Sequence, residues 1–140
     1  MTRAIIVVCM AILGLAAAFH FYWALGGSIG SGVSLPHRED GTAVVMKNRA
    51  AGAFAVGFVF VAVLLLVLAL IRVPMPQSWL RAGVALWAVV FVARAVSWSN
   101  YVGMFKRVTR TRFARYDTWL YSPLCLLLGC GLFYLALASD

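Results

Sequence analysis

Few side chains in this 140-residue sequence can do chemistry, and they fall at the margins of four apolar runs. His20, Tyr22 and Trp23 close the first run. Asn48 and Arg49 open the second, Arg94, Trp98, Asn100 and Tyr101 close the third, and Asp117, Tyr121 and Ser122 open the fourth. If successive runs are antiparallel helices, all four sets meet at one end of the molecule. The other end offers only Arg3, Arg72, Gln77, Ser78, Arg81 and the tail.

Arg94 is the sharpest of these residues. An ionisable group inside a membrane span costs roughly 2.5–3.5 kcal/mol on insertion scales, so it faces the bundle and takes a partner. Asp117 is the one acid near a span at that end, and pairing would tie the third helix to the fourth. An anion or polar-headgroup site is the functional reading. Snorkelling of the guanidinium to the interface is the commoner fate of a span-end arginine.

His20 lies three residues before Trp23 on one helix face. Alone, it fits a hydrogen-bonded structural histidine better than a ligand or base, although its ordinary pKa lies near neutrality and suits proton transfer. The other histidine, His37, sits in a connector, so a bis-His haem site inside the bundle is not expected. Neither a metal site nor a dithiol motif is expected from Cys9, Cys125 and Cys130, which form no C-x-x-C pair and read as buried, inert thiols. The glycines at 26, 27, 30 and 32 follow a helix, not a strand. They read as a flexible exit from the first run, not a phosphate cradle. No cofactor is identified.

The elements that position these residues follow from composition. Hydrophobic residues make up 64% and charged residues 11% of the chain, against roughly 45–50% and about 25% in soluble domains. A short soluble chain cannot hide that much apolar surface. A crossing helix needs about 20 apolar residues, and runs over about 4–25, 50–71, 82–98 and 118–138 meet or approach this. The first resembles a signal peptide in its Arg3 start and its alanines at 16–18, but it is long enough to be retained as a span. The expected fold is all-α: an integral membrane, four-helix transmembrane bundle, up-down-up-down, in one domain over residues 1–140. Pro74 and Pro76 predict a tight turn between the second and third spans.

Packing in lipid relies on small residues. Gly14 with Ala18, and Ala53 with Gly57, are candidate contact pairs. The net charge of +8 reads as membrane topology and attraction to anionic lipid headgroups, not nucleic-acid binding. The basic run 106–115 suits either a short interfacial helix or a solvated topology determinant. The first and third connectors carry eight Lys and Arg against three at the other end. The connectors are therefore expected in the cytoplasm and both termini outside it.

Two stretches carry a resemblance: His20-Phe21-Tyr22-Trp23-Ala24-Leu25-Gly26-Gly27, and the more specific Phe113-Ala114-Arg115-Tyr116-Asp117-Thr118-Trp119-Leu120-Tyr121-Ser122-Pro123-Leu124-Cys125. The chain resembles, over nearly its whole length, a family of small bacterial four-span membrane proteins known only as a domain of unknown function. The resemblance implies the four-helix architecture and residence in the bacterial inner membrane, and it implies no activity. It draws attention to His20, Trp23, Arg115, Asp117, Tyr121 and Pro123.

With no complete catalytic set, the leading expectation is a non-enzymatic module or accessory subunit. It would bind another membrane protein or a lipid-like ligand through His20, Tyr22, Trp23, Arg49, Arg94, Trp98, Asn100, Arg115, Asp117 and Tyr121. A membrane enzyme acting on a quinone or isoprenoid, with His20 as acid or base and Arg94 and Arg115 holding an anionic group, is the alternative. A small oligomeric transporter ranks last, because a single in-span charge is poor coupling machinery and no broken helix pair marks a midplane site.

Overall fold

The computed structural model describes residues 2–42, 44, 48–73 and 78–138. Its helices are α1 (Thr2–Ala24), the single turn α2 (Ser31–Ser34), α3 (Arg49–Arg72), α4 (Ser78–Ala95), α5 (Arg112–Tyr116) and α6 (Ser122–Ala138). A π-helical turn, Asp117–Tyr121, joins α5 to α6. No strand occurs among the described residues. Four helices are long and apolar enough to cross a membrane: α1, α3, α4 and the continuous Arg112–Ala138.

Each spanning helix buries one stripe and leaves the rest of its circumference bare. Cys9 and Leu13 of α1, Val63, Val67 and Leu70 of α3, Leu80, Val84, Ala88 and Phe91 of α4, and Leu128, Leu132 and Leu135 of α6 form one core. The three- and four-residue spacing keeps these side chains on one face of each helix. The outward faces are also apolar: Val7, Leu15, Phe58, Leu65, Leu86 and Leu137 are all more than half exposed. A helix that is hydrophobic all round belongs in lipid.

Two close antiparallel pairs, α1 with α3 and α4 with α6, join through lighter α1–α6 and α3–α4 contacts. The start of α1 meets the end of α6 where Thr2 Oγ1 and Tyr134 OH share a 3.3 Å hydrogen bond. At the other end, the Tyr121 hydroxyl donates to the Val33 carbonyl at 3.1 Å, so the first connector sits on the start of the fourth span. This is the up-down-up-down bundle, with both long connectors at one end.

Of the glycines that permit close packing, Gly129 matters most: a Cβ there would lie 2.7 Å from Val92 and 3.0 Å from the Ala88 carbonyl. Gly57 seats the Phe21 ring, with 2.9 Å to a virtual Cβ, whereas Gly14 makes only an ordinary 4.0 Å contact with Leu64. The α4–α6 approach was therefore not among the pairs expected from sequence. The prolyl turn expected at 74–77 lies outside the described residues. The thiols are free, and only Cys9 is fully buried; Cys125 is half-buried and Cys130 exposed.

A buried carboxylate and its cations

Asp117 is fully buried and binds four donors. Arg94 Nη2 reaches Oδ1 at 2.6 Å. The Gly103 backbone N–H, Lys106 Nζ and Ser122 Oγ reach Oδ2 at 2.8, 3.1 and 3.4 Å. Arg94 is thus paired across helices and does not snorkel, and its second arm donates to Ser122 Oγ at 3.1 Å. Two cations on one carboxylate leave the knot one positive charge in excess. Arg94 carries the exposed part, its side chain 30% accessible against 1% for Lys106. A buried ion pair stands only if its remaining donors and acceptors are satisfied, and here they are.

Lys106 makes this clearest. Its ammonium has three protons and three acceptors: Asp117 Oδ2, the Gly103 carbonyl at 3.0 Å and Thr118 Oγ1 at 2.5 Å. Thr118 in turn donates to the Ala114 carbonyl at 3.0 Å. The expected alternatives for run 106–115, an interfacial helix or a solvated charge cluster, both fail for its first residue. Lys106 points inward as the fastener of the connector, and helix begins only at Arg112, capped by Thr111 Oγ1 accepting from the Ala114 N–H at 3.1 Å.

The connector reaches Lys106 by folding back on itself. Met104 and Phe105 donate their backbone N–H groups to the Ala95 and Ser97 carbonyls at 2.7 and 3.3 Å, and Val108 donates to Asn100 at 2.9 Å. The turn is made at Gly103, where φ is +97° and a Cβ would sit 2.4 Å from the Ser97 carbonyl oxygen. Only glycine fits, because the obstruction is backbone and the dihedral is left-handed.

The π-turn explains why Asp117 and Ser122 share a face. Pro123 has no N–H and its ring would clash with the carbonyl of Trp119 four residues back. The chain instead widens by one residue, with the Ser122 N–H donating to the Asp117 carbonyl. Residues five apart, about 140° apart on a regular helix, are thereby stacked. Pro123 is the second residue of α6, eleven residues after the continuous span begins at Arg112.

The other expected site residues divide. His20 is half-buried at a separate place: Nδ1 lies 2.7 Å from the Ala16 carbonyl, and since a carbonyl cannot donate, Nδ1 carries a proton. The ring packs edge-on to Trp23 at 5.4 Å and against Phe60 at 5.3 Å. Tyr22 and Trp23 hold the first connector: Trp23 Nε1 donates to the Ile29 carbonyl at 2.7 Å, and the Ile29 N–H donates to the Tyr22 hydroxyl at 3.2 Å. The glycine-rich exit is thus a fastened cap. Trp98 and Asn100 lie beyond helix α4, which ends at Ala95, not at 98. Trp98 is 74% exposed and stacks on Phe105 at 5.7 Å, and Asn100 is exposed as well. Arg49 and Arg115 are exposed, and Tyr121 binds Val33 as described.

Lys106, Gly103 and Thr118 were not singled out by sequence. No periodicity marks a lysine in a non-helical connector. The available signal was charge balance, one near-span acid facing more than one cation.

Among the described residues no three histidines, cysteines or acids converge as metal ligands. Fold and site together define a small multi-pass membrane bundle whose third and fourth spans are tied by a buried carboxylate. A family model described as protein of unknown function, DUF3995, matches residues 13–132. The chain belongs to that family. No curated protein and no solved structure matches it.

Proposed function

We propose that this protein is a non-enzymatic membrane module, an accessory subunit of the bacterial inner membrane. It would bind a partner membrane protein or a lipid-like ligand at its connector end, with the connectors in the cytoplasm and both termini outside. The observation that carries this reading is the saturation of Asp117 by four donors. A general acid or base must be able to exchange its proton with a substrate; this carboxylate instead holds a connector in one shape. That connector carries exposed Arg107 and Arg110 and the Trp98–Phe105 stack, features of a presenting surface.

Purification in mild detergent tests the reading. A bound lipid, lipophilic molecule or membrane protein is expected to co-elute, and a chain that elutes alone would sink it. Reporter fusions after Asp140 test the orientation: activity of a cytoplasm-dependent reporter there reverses it.

His20, half-buried with its Nδ1 held by the Ala16 carbonyl, favours a second reading, an enzyme acting on a quinone or isoprenoid. His20→Ala would then abolish a membrane phenotype while the protein still accumulates; loss of accumulation marks the residue as structural.

A further inference from the structure

The exposed face at the start of the fourth span is ordered by depth. Arg112, Arg115, Tyr116 and Trp119 are all exposed and spaced three and four residues apart, so they line one helix face. Trp119, at 82%, is among the most exposed aromatic residues described. Below it the surface is hydrocarbon-like, through Leu120, Leu127, Phe133 and Leu137.

The lengths fit a bilayer. From Trp119 to Ala138 the helix rises about 28 Å, close to the ~30 Å hydrocarbon core. With Trp119 at the edge of that core, Arg115 stands about 6 Å and Arg112 about 10 Å further out. The polar headgroup layer is roughly 5–7 Å thick on each side. Arg115 is therefore in the outer part of the headgroup layer, and Arg112 stands a few ångströms beyond its rim, with a long side chain to span the difference.

These guanidiniums differ from that of Arg94 in being unspent. The ion pairs of the described residues use Asp117 with Arg94 and Lys106, and none uses Arg112 or Arg115. Two unpaired planar donor forks, one helical turn apart above an aromatic ring, match a phosphodiester oxygen pair above an acyl chain.

We propose that the ridge Arg112–Arg115–Tyr116–Trp119 is a binding site for the headgroup phosphate of an anionic phospholipid. Arg115 and Arg112 hold the phosphate, and Trp119 lies against the first methylenes of the acyl chain. The assignment rests on the ligand-binding reading above and names the ligand class.

The test is native mass spectrometry of the detergent-solubilised full chain with added phosphatidylglycerol or phosphatidylcholine. Phosphatidylglycerol should be retained in preference. Arg112→Gln with Arg115→Gln should weaken it by roughly 30-fold, from the per-arginine contribution at an anionic surface, and phosphatidylcholine retention should not change. Trp119→Ala should weaken both lipids. Arg3→Gln with Arg72→Gln, at the opposite end, should change neither. An unaltered melting temperature in the ridge variant confirms that the fold survives; should it fall, Arg112→Lys with Arg115→Lys, which keeps charge but loses the fork, should give an intermediate loss.

Equal retention of the two lipids overturns the assignment, as does undiminished phosphatidylglycerol binding by a folded ridge variant. Displacement by millimolar inorganic phosphate alone overturns the lipid in favour of a simple anion site. If a partner or another lipophilic molecule is bound while the ridge variants change nothing, only this assignment falls. If nothing at all is bound, the ligand-binding reading falls with it.

Discussion

The chain leaves α1 and α4 at the same end of the bundle, and the two exits are fastened by different chemistry. After α1, the Gly26 and Gly27 N–H groups return to the Trp23 and Tyr22 carbonyls at 3.1 and 2.9 Å, with Gly26 at φ +92°. This is the paired closure of a helix end by a left-handed glycine, and neutral bonds from Tyr22 and Trp23 to Ile29 complete it. After α4, closure depends on a buried carboxylate and two cations. Neutral bonds near the membrane surface are each worth about 1 kcal/mol and fail separately. A buried charge knot fails as a unit, because any member removed strands the others. The first connector is thus a set of independent fasteners, the third a single one.

Asp117→Ala is the strongest way to break that contrast. It strands Lys106 and Arg94 and should cost about 3–5 kcal/mol, seen as a large fall in melting temperature. Hydrogen exchange should rise over residues 96–111 while residues 25–34 stay protected; equal loosening of both would end the distinction. Gly103→Ala comes next, at about 2–4 kcal/mol, from a left-handed dihedral and a backbone collision that cannot relax cheaply. Its signature is exposure of Lys106 to amine labelling with the helices intact.

Trp23→Phe should cost only about 1 kcal/mol, the Nε1 bond to Ile29, with exchange raised near residue 29 and none at 103–106. The smallest effect belongs to Asp40. The Thr42 hydroxyl and then the Thr42 N–H hold its carboxyl below the ordinary carboxylate range. A depressed value means the contribution is present above that ordinary range and lost as pH falls through the lowered value. Titration should therefore move the Thr42 amide signal in acid, and Asp40→Asn should leave the melting temperature unchanged.

How far these features were legible differs by residue. The spans were legible because lipid imposes a length and a composition on any helix that crosses it. The Arg94–Asp117 pair was visible as a candidate, since an in-span cation with one acid nearby has few choices. Lys106 was not, because its burial depends on a fold-back at Gly103 that carries no periodic signature. Trp98 was assigned to a helix because apolar runs do not say where a helix gives way to a turn. Gly129 was invisible because a glycine's packing role depends on which helix faces it.

The π-turn before Pro123 has a consequence for how the chain tolerates changes in length. A π-turn is a regular helix carrying one residue more than its hydrogen-bond ladder requires. Deleting one residue among 118–121 should restore an unbroken ladder up to the proline, and by local rules it would be a conservative edit. The flanks would hardly turn, because Asp117 and Ser122, stacked now by the wide turn, would stand four apart on a regular helix, about 40° apart and still on one face. The carboxylate should keep its arginine, and the helix before the turn should keep its lipid-facing side. The extra residue is absorbed where it stands, and its removal changes the ladder and not the aim of the side chains around it.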